Sequence, residues 1–371
     1  DRLAGYTQDM AAPTLNNLNT NDITYAEATE QGTLKQIDAG NDVVAALNGS
    51  VEGWRNAANT TGSLVVQFAA ANVNATDEIV WQDAPGVLTR SGNQLLDGAS
   101  KVIATISGSG ATNGTTALTI TFSDGSGAEV EPGDADVTQM IKNLSYRNSS
   151  DNPLAGVKTL NWTLTDGDGS ASVAASTVTL TAANDVPVVG NLDGESLNYA
   201  ENAAATVVNQ GGAATVTDPD SADFSGGSLT VLNSGTDVAD QLIVGTLGRI
   251  RTQDVGGGAF AETVQYDTTG GGVWATIGTI TEGANDGVNG NDLVVDLTTA
   301  DATPAATAAL INAIQFQNTS DNPIGGARTL TFRVNDGDGG TSADASVTLT
   351  VNPSNDVPVV GNLDGESLNY A

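Results

Sequence analysis

The hydrophobic positions of this chain fall in short runs of strict alternation. Leu160, Trp162 and Leu164 alternate with polar residues, and Leu330, Phe332 and Val334 do the same further on. Period two places each trio on one face of a strand. Val178 and Leu180 repeat the pattern one hairpin later, as do Val347, Leu349 and Val351. Further strands are expected at Leu118, Ile120 and Phe122, at Leu293, Val295 and Leu297, and from Leu229 to Leu232. Between them lie the turn signals Asn48-Gly49, Asn113-Gly114, Asp124-Gly125 and Asn289-Gly290. Two stretches break the alternation. Residues 134–143, followed by Leu144, carry Val137, Met140 and Ile141 at helical spacing, and residues 303–313 carry Ala306, Ala309, Leu310 and Ala313 in the same way. A short connecting helix is expected in each, within an all-β fold of antiparallel β-sandwiches with Greek-key connections.

The same pattern returns on a larger scale. PTLNNLNTNDITYAEAT from Pro13 matches PVVGNLDGESLNYAENA from Pro187, and the stretch NDVPVVGNLDGESLNYA at residues 184–200 recurs unchanged at residues 355–371. LSYRNSSDNPLAGVKTLNWTLTDGDGSAS from Leu144 matches IQFQNTSDNPIGGARTLTFRVNDGDGGTS from Ile314. The unit is roughly 170 residues, too long for a solenoid turn and long enough to be a domain. The expected division is a linker or the end of a preceding repeat at 1–12, repeats at 13–186 and 187–357, and the first strand of a third repeat at 358–371. With no initiator Met and no signal-peptide pattern at DRLAGYTQDM, the sequence reads as a mature or internal piece.

Composition narrows the chemistry. There is no Cys and no His among 371 residues, which removes disulfides, the usual zinc ligands, and Cys-His or Ser-His-Asp catalysis. The 44 acidic residues against 12 basic ones give a formal charge of -32, which repels nucleic acid and anionic membranes and attracts cations. A solvated acidic surface, adaptation to high salt and divalent-cation binding all accommodate that number. No apolar run is long enough to span a membrane.

The carboxylates recur at fixed places in the unit. Asp166 and Asp168 in TDGDGS return as Asp336 and Asp338 in NDGDGG. Asn184 and Asp185 precede a Pro at the unit boundary, as do Asn355 and Asp356. Glu201, matched by Glu27, is followed by Asp218 and Asp220 in TDPDSAD; the first unit has IDAGND there, so that Asp38 and Asp42 are poor counterparts. A DGDG between two strands is also simply a hairpin turn.

The ND-x-P junction, the Glu after it, the Asp218-x-Asp220 pair and the late Asp in a D-G turn resemble cadherin-like repeats. With SDNP, TL and DGDG strung before NDVP, they resemble more closely the cadherin-like tandem repeats of large bacterial surface proteins and adhesins. The resemblance implies cadherin- or immunoglobulin-like sandwiches with calcium at the joints. It places Asn184 and Asp185 in the linker, Glu201 at the start of the following domain, Asp166 or Asp168 near the end of the preceding one, and Asp218 and Asp220 as the paired element. Glu27, Asp336, Asp338, Asn355 and Asp356 are the equivalents in the other repeat. Calcium takes six to eight oxygens in flexible geometry, and clustered carboxylates repel one another until a cation arrives. Neither cluster is an EF-hand. GVNGNDLVV from Gly287 resembles one turn of a calcium-binding nonapeptide repeat, but a single copy reads as a hairpin.

The expected function is structural and extracellular, at or near a cell surface. A calcium-stiffened repeat would act as an extender in an adhesin, fibre or coat, with neighbouring repeats and other copies as partners. The alternative is a glycan- or protein-binding module using Trp54, Trp81 and Trp274 in the divergent middle of each unit, although Trp is commonly a core residue. A carboxylate-based glycosidase is disfavoured, because the paired acids recur beside turns and boundaries in both units. Asn-x-Ser/Thr sequons occur at Asn48, Asn59, Asn74, Asn113, Asn143, Asn148 and Asn161, and then at Asn318.

Overall fold

A computed structural model describes residues 11–18, 22–38, 40–47, 53–54, 61–84, 86–123, 125, 127–254, 263–358 and 365. The linker expected at 1–12 and the third-repeat strand expected at 358–371 fall largely outside the described residues, as do Asn48, Gly49, Asn59 and Asp124. The chain divides into two compact units, Asp1–Ala183 and Asn184–Ala371.

Each unit is built on an eight-stranded sheet. In the second unit its order is Glu195–Ala200, Ala345–Asn352, Gly326–Asn335, Ser228–Asn233, Leu293–Leu297, Trp274–Thr279, Thr263–Asp267 and Ile250–Gln253. In the first it is Ile23–Ala26, Ala171–Thr181, Gly156–Thr165, Ser63–Phe68, Leu118–Phe122, Val102–Ile106, Gln94–Asp97 and Leu88–Ser91. A smaller sheet covers one face. It joins Thr206–Val207, Ile314–Asn318 and Asp240–Val244 in the second unit, and Ala111–Asn113, Asp77–Trp81, Leu144–Asn148 and Lys35–Gln36 in the first.

The alternating trios form the buried layer between these sheets. Leu160, Trp162 and Leu164 are buried, as are Leu330, Phe332 and Val334, and the other expected strand positions join the same two cores except Leu232, which is half-buried. Edge-on aromatic contacts link the layers: Tyr199 of the large sheet meets Phe316 of the small one at 5.1 Å, and Tyr25 meets Tyr146 at 4.9 Å. Such pairs add stability beyond their buried area.

Both expected helices form, as Asp134–Lys142 and Pro304–Asn312. The second begins with Pro after Thr303, whose hydroxyl accepts from the Ala306 N–H at 3.2 Å, capping one of the amides a helix start leaves open. Val137, Met140 and Ile141 face the first core, and Ala306, Leu310 and Ile311 the second. At GVNGNDLVV, Asp286 bridges Leu293 across a tight turn whose Asn289 and Gly290 both have positive φ.

Among the described residues, the pairing departs from a purely antiparallel sandwich once per unit. Ile23–Ala26 runs parallel to the end of Ala171–Thr181, and Glu195–Ala200 parallel to Ala345–Asn352. Parallel neighbours need a long crossover, and here the whole remainder of the unit serves as one.

Candidate functional site

The tip of the hairpin from Gly326–Asn335 to Ala345–Asn352 carries Asp336 to the end of the second unit where Asn184 enters. Asp336 is fully buried. Its Oδ1 accepts from the N–H groups of Asp338 at 2.8 Å and of Gly339 and Gly340 at 2.9 Å, while Oδ2 accepts from Asn184 Nδ2 at 2.8 Å. The same Asn184 amide donates to the Asp185 carbonyl at 2.7 Å, and the Asp185 N–H donates to Asp220 Oδ2 at 3.2 Å. Asp218 Oδ1 closes the series by accepting from the N–H groups of Asp220 and Ser221 at 3.3 and 3.0 Å. Asp336, Asn184, Asp185, Asp220 and Asp218 thus form one hydrogen-bonded chain at the head of the unit. Gly340 is required beneath it: a Cβ there would stand 2.2 Å from Asp336 Oδ2 and 2.7 Å from the Asp185 carbonyl oxygen. Asp338 contributes its amide and points an exposed side chain to solvent.

This cluster is incompletely satisfied. Asp218 Oδ2, Asp220 Oδ1 and Ser221 Oγ are buried without a hydrogen-bond partner. Buried polar atoms are ordinarily paired, and each one left open has a desolvation cost. Burial raises the Asp218 pKa above the usual carboxylate value; a side-chain hydrogen bond with Asp220, and the Asp220 charge, add to the rise against the opposing backbone hydrogen bonds of Ser221 and Asp220. Among the described residues no three acidic side chains converge into a metal-holding group. The donors that are present fit calcium in kind, being all oxygen, and the open lone pairs of Asp218, Asp220 and Ser221 are where such an ion would gain most.

The remaining expected residues lie elsewhere. In the first unit Asp166 makes the same turn cap as Asp336, accepting from Asp168 and Ser170 at 3.0 Å, and burial raises its pKa. The eleven-residue strand Ala171–Thr181 separates that turn from Ala183 by roughly 35 Å, so Asp166 and Asp168 sit at the head of their unit, far from the residue that Asn184 follows. Glu27 and Glu201 belong to the opposite, tail ends. Glu27 Oε2 accepts from the Ala183 N–H at 2.8 Å and Glu201 Oε2 from the Ser354 N–H at 2.5 Å, and Glu201 Oε1 is buried without a partner. Beside Ser354, Asn355 Nδ2 donates to the Asp356 carbonyl at 2.9 Å, the same local bond that Asn184 makes. Asp38, buried, accepts from the Asp42 and Val43 amides at 3.3 and 3.2 Å and so holds a loop.

A second polar cluster escaped the sequence reading. In the first unit Lys158, fully buried, lies 3.3 Å from Asp77, which is also fully buried. Asp77 Oδ1 accepts from Tyr146 Oη at 2.6 Å and Asn148 Nδ2 at 2.9 Å, and burial together with the Asp77 bond pushes the Tyr146 pKa up. In the second unit Arg328 Nε stands 2.5 Å from Asp240, and Asn318 Nδ2 donates to Asp240 and Asp237 at 2.8 and 3.0 Å. Burial opposes ionisation of Asp237, but the Ala239 and Ile324 amides, Asn318 and Arg328 outweigh it and hold its pKa low. The signal was legible: Lys158 and Arg328 stand in register with the inward trios that follow them, and a cation on a buried face demands a buried anion.

The tryptophans divide. Trp54 and Trp81 are buried, with their indole N–H groups donated to Asp134 and Asp83. Neither offers a ring for stacking on a sugar. Trp274 is half-buried, with the Arg251 guanidinium 4.3 Å above its ring.

No family model matches the chain, and no curated protein does either. Among solved structures it is similar to human CDH23 EC21-23, at 12% identity over 92% of this chain and 69% of that one, with a TM-score of 0.26. It is also similar to human Protocadherin-24 EC1-2 (11% identity, 92% and 99% covered, TM-score 0.25) and to Clostridium thermocellum CbhA fibronectin(III)-like modules (8% identity, 96% and 100% covered, TM-score 0.21). Likenesses this distant leave the fold to be read from the strand pairing itself, which is that of an all-β sandwich.

Proposed function

We propose that the chain is a structural tandem-repeat module of a secreted or cell-surface protein, stiffened by calcium and serving as an extender in an adhesin, fibre or coat. The repeats would be 13–186 and 187–357, with 358–371 opening a third. The observation that carries the reading is the head of the second unit, where Asp218, Asp220 and Ser221 keep open side-chain oxygens and Asp220 is joined through the Asp185 N–H and Asn184 to Asp336. When bound, calcium would supply positive charge to the open oxygens of Asp218 and Asp220. Asn184 and Asp185 directly follow Ala183 in the chain, so an ion held through the Asp185–Asp220 contact would fix the peptide leaving the first unit. Glu27 with Ala183, and Glu201 with Ser354, brace the corresponding tails. The reading assigns no catalysis, and it favours an extended array over a glycan-binding role because Trp54 and Trp81 are spent on the core.

Calorimetric titration of the chain with calcium tests it. Saturable binding is expected, abolished by Asp218→Asn together with Asp220→Asn, and a chelator should lower the melting temperature and shorten the end-to-end length measured by X-ray scattering. Unchanged melting and length on calcium removal would refute the stiffening.

A further inference from the structure

The buried pair of the first unit is arranged for more than charge pairing. Lys158 lies in Gly156–Thr165 of the large sheet and Asp77 opens Asp77–Trp81 of the small one, and both side chains are fully shielded from solvent. Lys158 Nζ donates to the carbonyls of Asn72 at 2.5 Å and Leu154 at 2.7 Å, and it stands 3.3 Å from Asp77 Oδ2. An ammonium group has three protons, so two are fixed on backbone oxygens and the third faces the carboxylate.

The carboxylate is held as firmly. Its Oδ2 accepts from the Asn74 N–H at 2.9 Å, while Oδ1 accepts from Tyr146 Oη at 2.6 Å and Asn148 Nδ2 at 2.9 Å. Tyr146 and Asn148 lie on the neighbouring strand, where Asn148 is the register partner of Asp77. Burial and the Asp77 bond favour the protonated Tyr146 hydroxyl, which therefore remains a donor. A fixed amine against a carboxyl group whose far oxygen meets two donors is the arrangement that acyl transfer to nitrogen requires.

We propose that Lys158 and Asp77 condense to an intramolecular amide, a covalent cross-link between the two sheets of the first unit. A proton passes from Nζ to Oδ2 and leaves on Nζ a lone pair directed at the carboxyl group. Nζ attacks Cγ as the π bond to Oδ1 opens, and Tyr146 and Asn148 stabilise the negative charge that develops on Oδ1. A second Nζ proton moves to the Oδ2 hydroxyl, the double bond to Oδ1 re-forms, and Oδ2 departs as water. Ammonium and carboxylate become amide and water, with no oxidant, nucleotide or other reactant. Burial favours the exchange, because two desolvated charges are replaced by one neutral group. In a chain without Cys the amide takes the part of a disulfide, closing the long loop between two strands distant in sequence.

The second unit is an internal control. Arg328 in GGARTL stands where Lys158 stands in AGVKTL, and it meets Asp240 at 2.5 Å. A delocalised guanidinium is no nucleophile, so that pair stays ionic.

Intact mass of the whole chain tests the proposal. The folded protein should be one water lighter than its sequence, about 18 Da. Digestion after denaturation should yield a branched peptide joining Asp77 to Lys158, with no tryptic cut after Lys158. Lys158→Arg should restore the full sequence mass. Tyr146→Phe, followed by mass after cell-free synthesis, should lose water about a hundredfold more slowly than the parent. An equal rate would overturn the part given to Tyr146. A parent chain that keeps its full mass through long incubation at neutral pH overturns the cross-link. So does a missing water without the branched peptide, as a cyclised Asp-Gly step would give. The mass and the branched peptide of the parent decide the matter even where a variant fails to fold.

Discussion

Asp218 has opposite consequences with and without a cation. Its pKa is raised by burial and by Asp220, so near the carboxylate range the folded chain keeps a proton that the unfolded chain releases. Its contribution to stability is therefore intact below the ordinary Asp value and is lost as pH rises through the raised one. In chelator, Asp218→Asn should be more stable than the parent at pH 7, with the advantage shrinking toward pH 3, as urea unfolding at the two values would measure. In saturating calcium the order should reverse. A gap that stays constant across pH would mean that Asp218 is not the titrating group. At the tail, Glu201 caps Ser354 with one carboxylate oxygen and holds the other buried without a partner.

Strands are the elements that sequence predicts best here, because alternation is a local property and burial on one face enforces it. Every expected trio is inward, and both helices appear within a residue or two of their expected bounds. The inward cation of strand Gly156–Thr165 was visible in the same alternation, yet its anion was not: Asp77 lies in a distant strand, and only the fold brings it to Lys158. Removing one member of a buried pair strands the other, so Lys158→Ala should destabilise the first unit by about 3–5 kcal/mol. Arg328→Ala should do likewise in the second, leaving Asp240 uncompensated. Denaturant unfolding of each variant checks both, and a loss below about 1 kcal/mol would show that the pairs are exposed to water in solution.

On the scale of the molecule, the repeat period was plain in the sequence, whereas the grouping of the acidic residues was not. Asp166 and Ala183 are close when the chain is written out, yet within the first unit a long strand separates them. Asp336 and Asn184 are far apart in sequence and share a hydrogen bond. Strand length, not sequence distance, decides which end of a sandwich a loop occupies. The same sorting applies to the sequons. Asn113 and Asn161 are exposed, whereas Asn143, Asn148 and Asn318 are buried, the last two with their amides committed to Asp77, Asp237 and Asp240. If the protein is produced in a host that glycosylates such sites, peptide mass mapping should find sugar on Asn113 and Asn161 and none on those three. Sugar on Asn148 would contradict the buried cluster.

The parallel pairing that closes each unit also determines how it meets a pulling force. In the second unit the first long strand, Glu195–Ala200, lies beside the last, Ala345–Asn352, in register from Glu195 with Val347 to Ala200 with Asn352. Tension applied through the two chain ends drags these neighbours in opposite directions along their length. The bonds between them are then loaded in shear, all at once, and not peeled open one after another. A module wired in this way resists extension through the seam where its beginning meets its end, which is the property a load-bearing link in a chain must have.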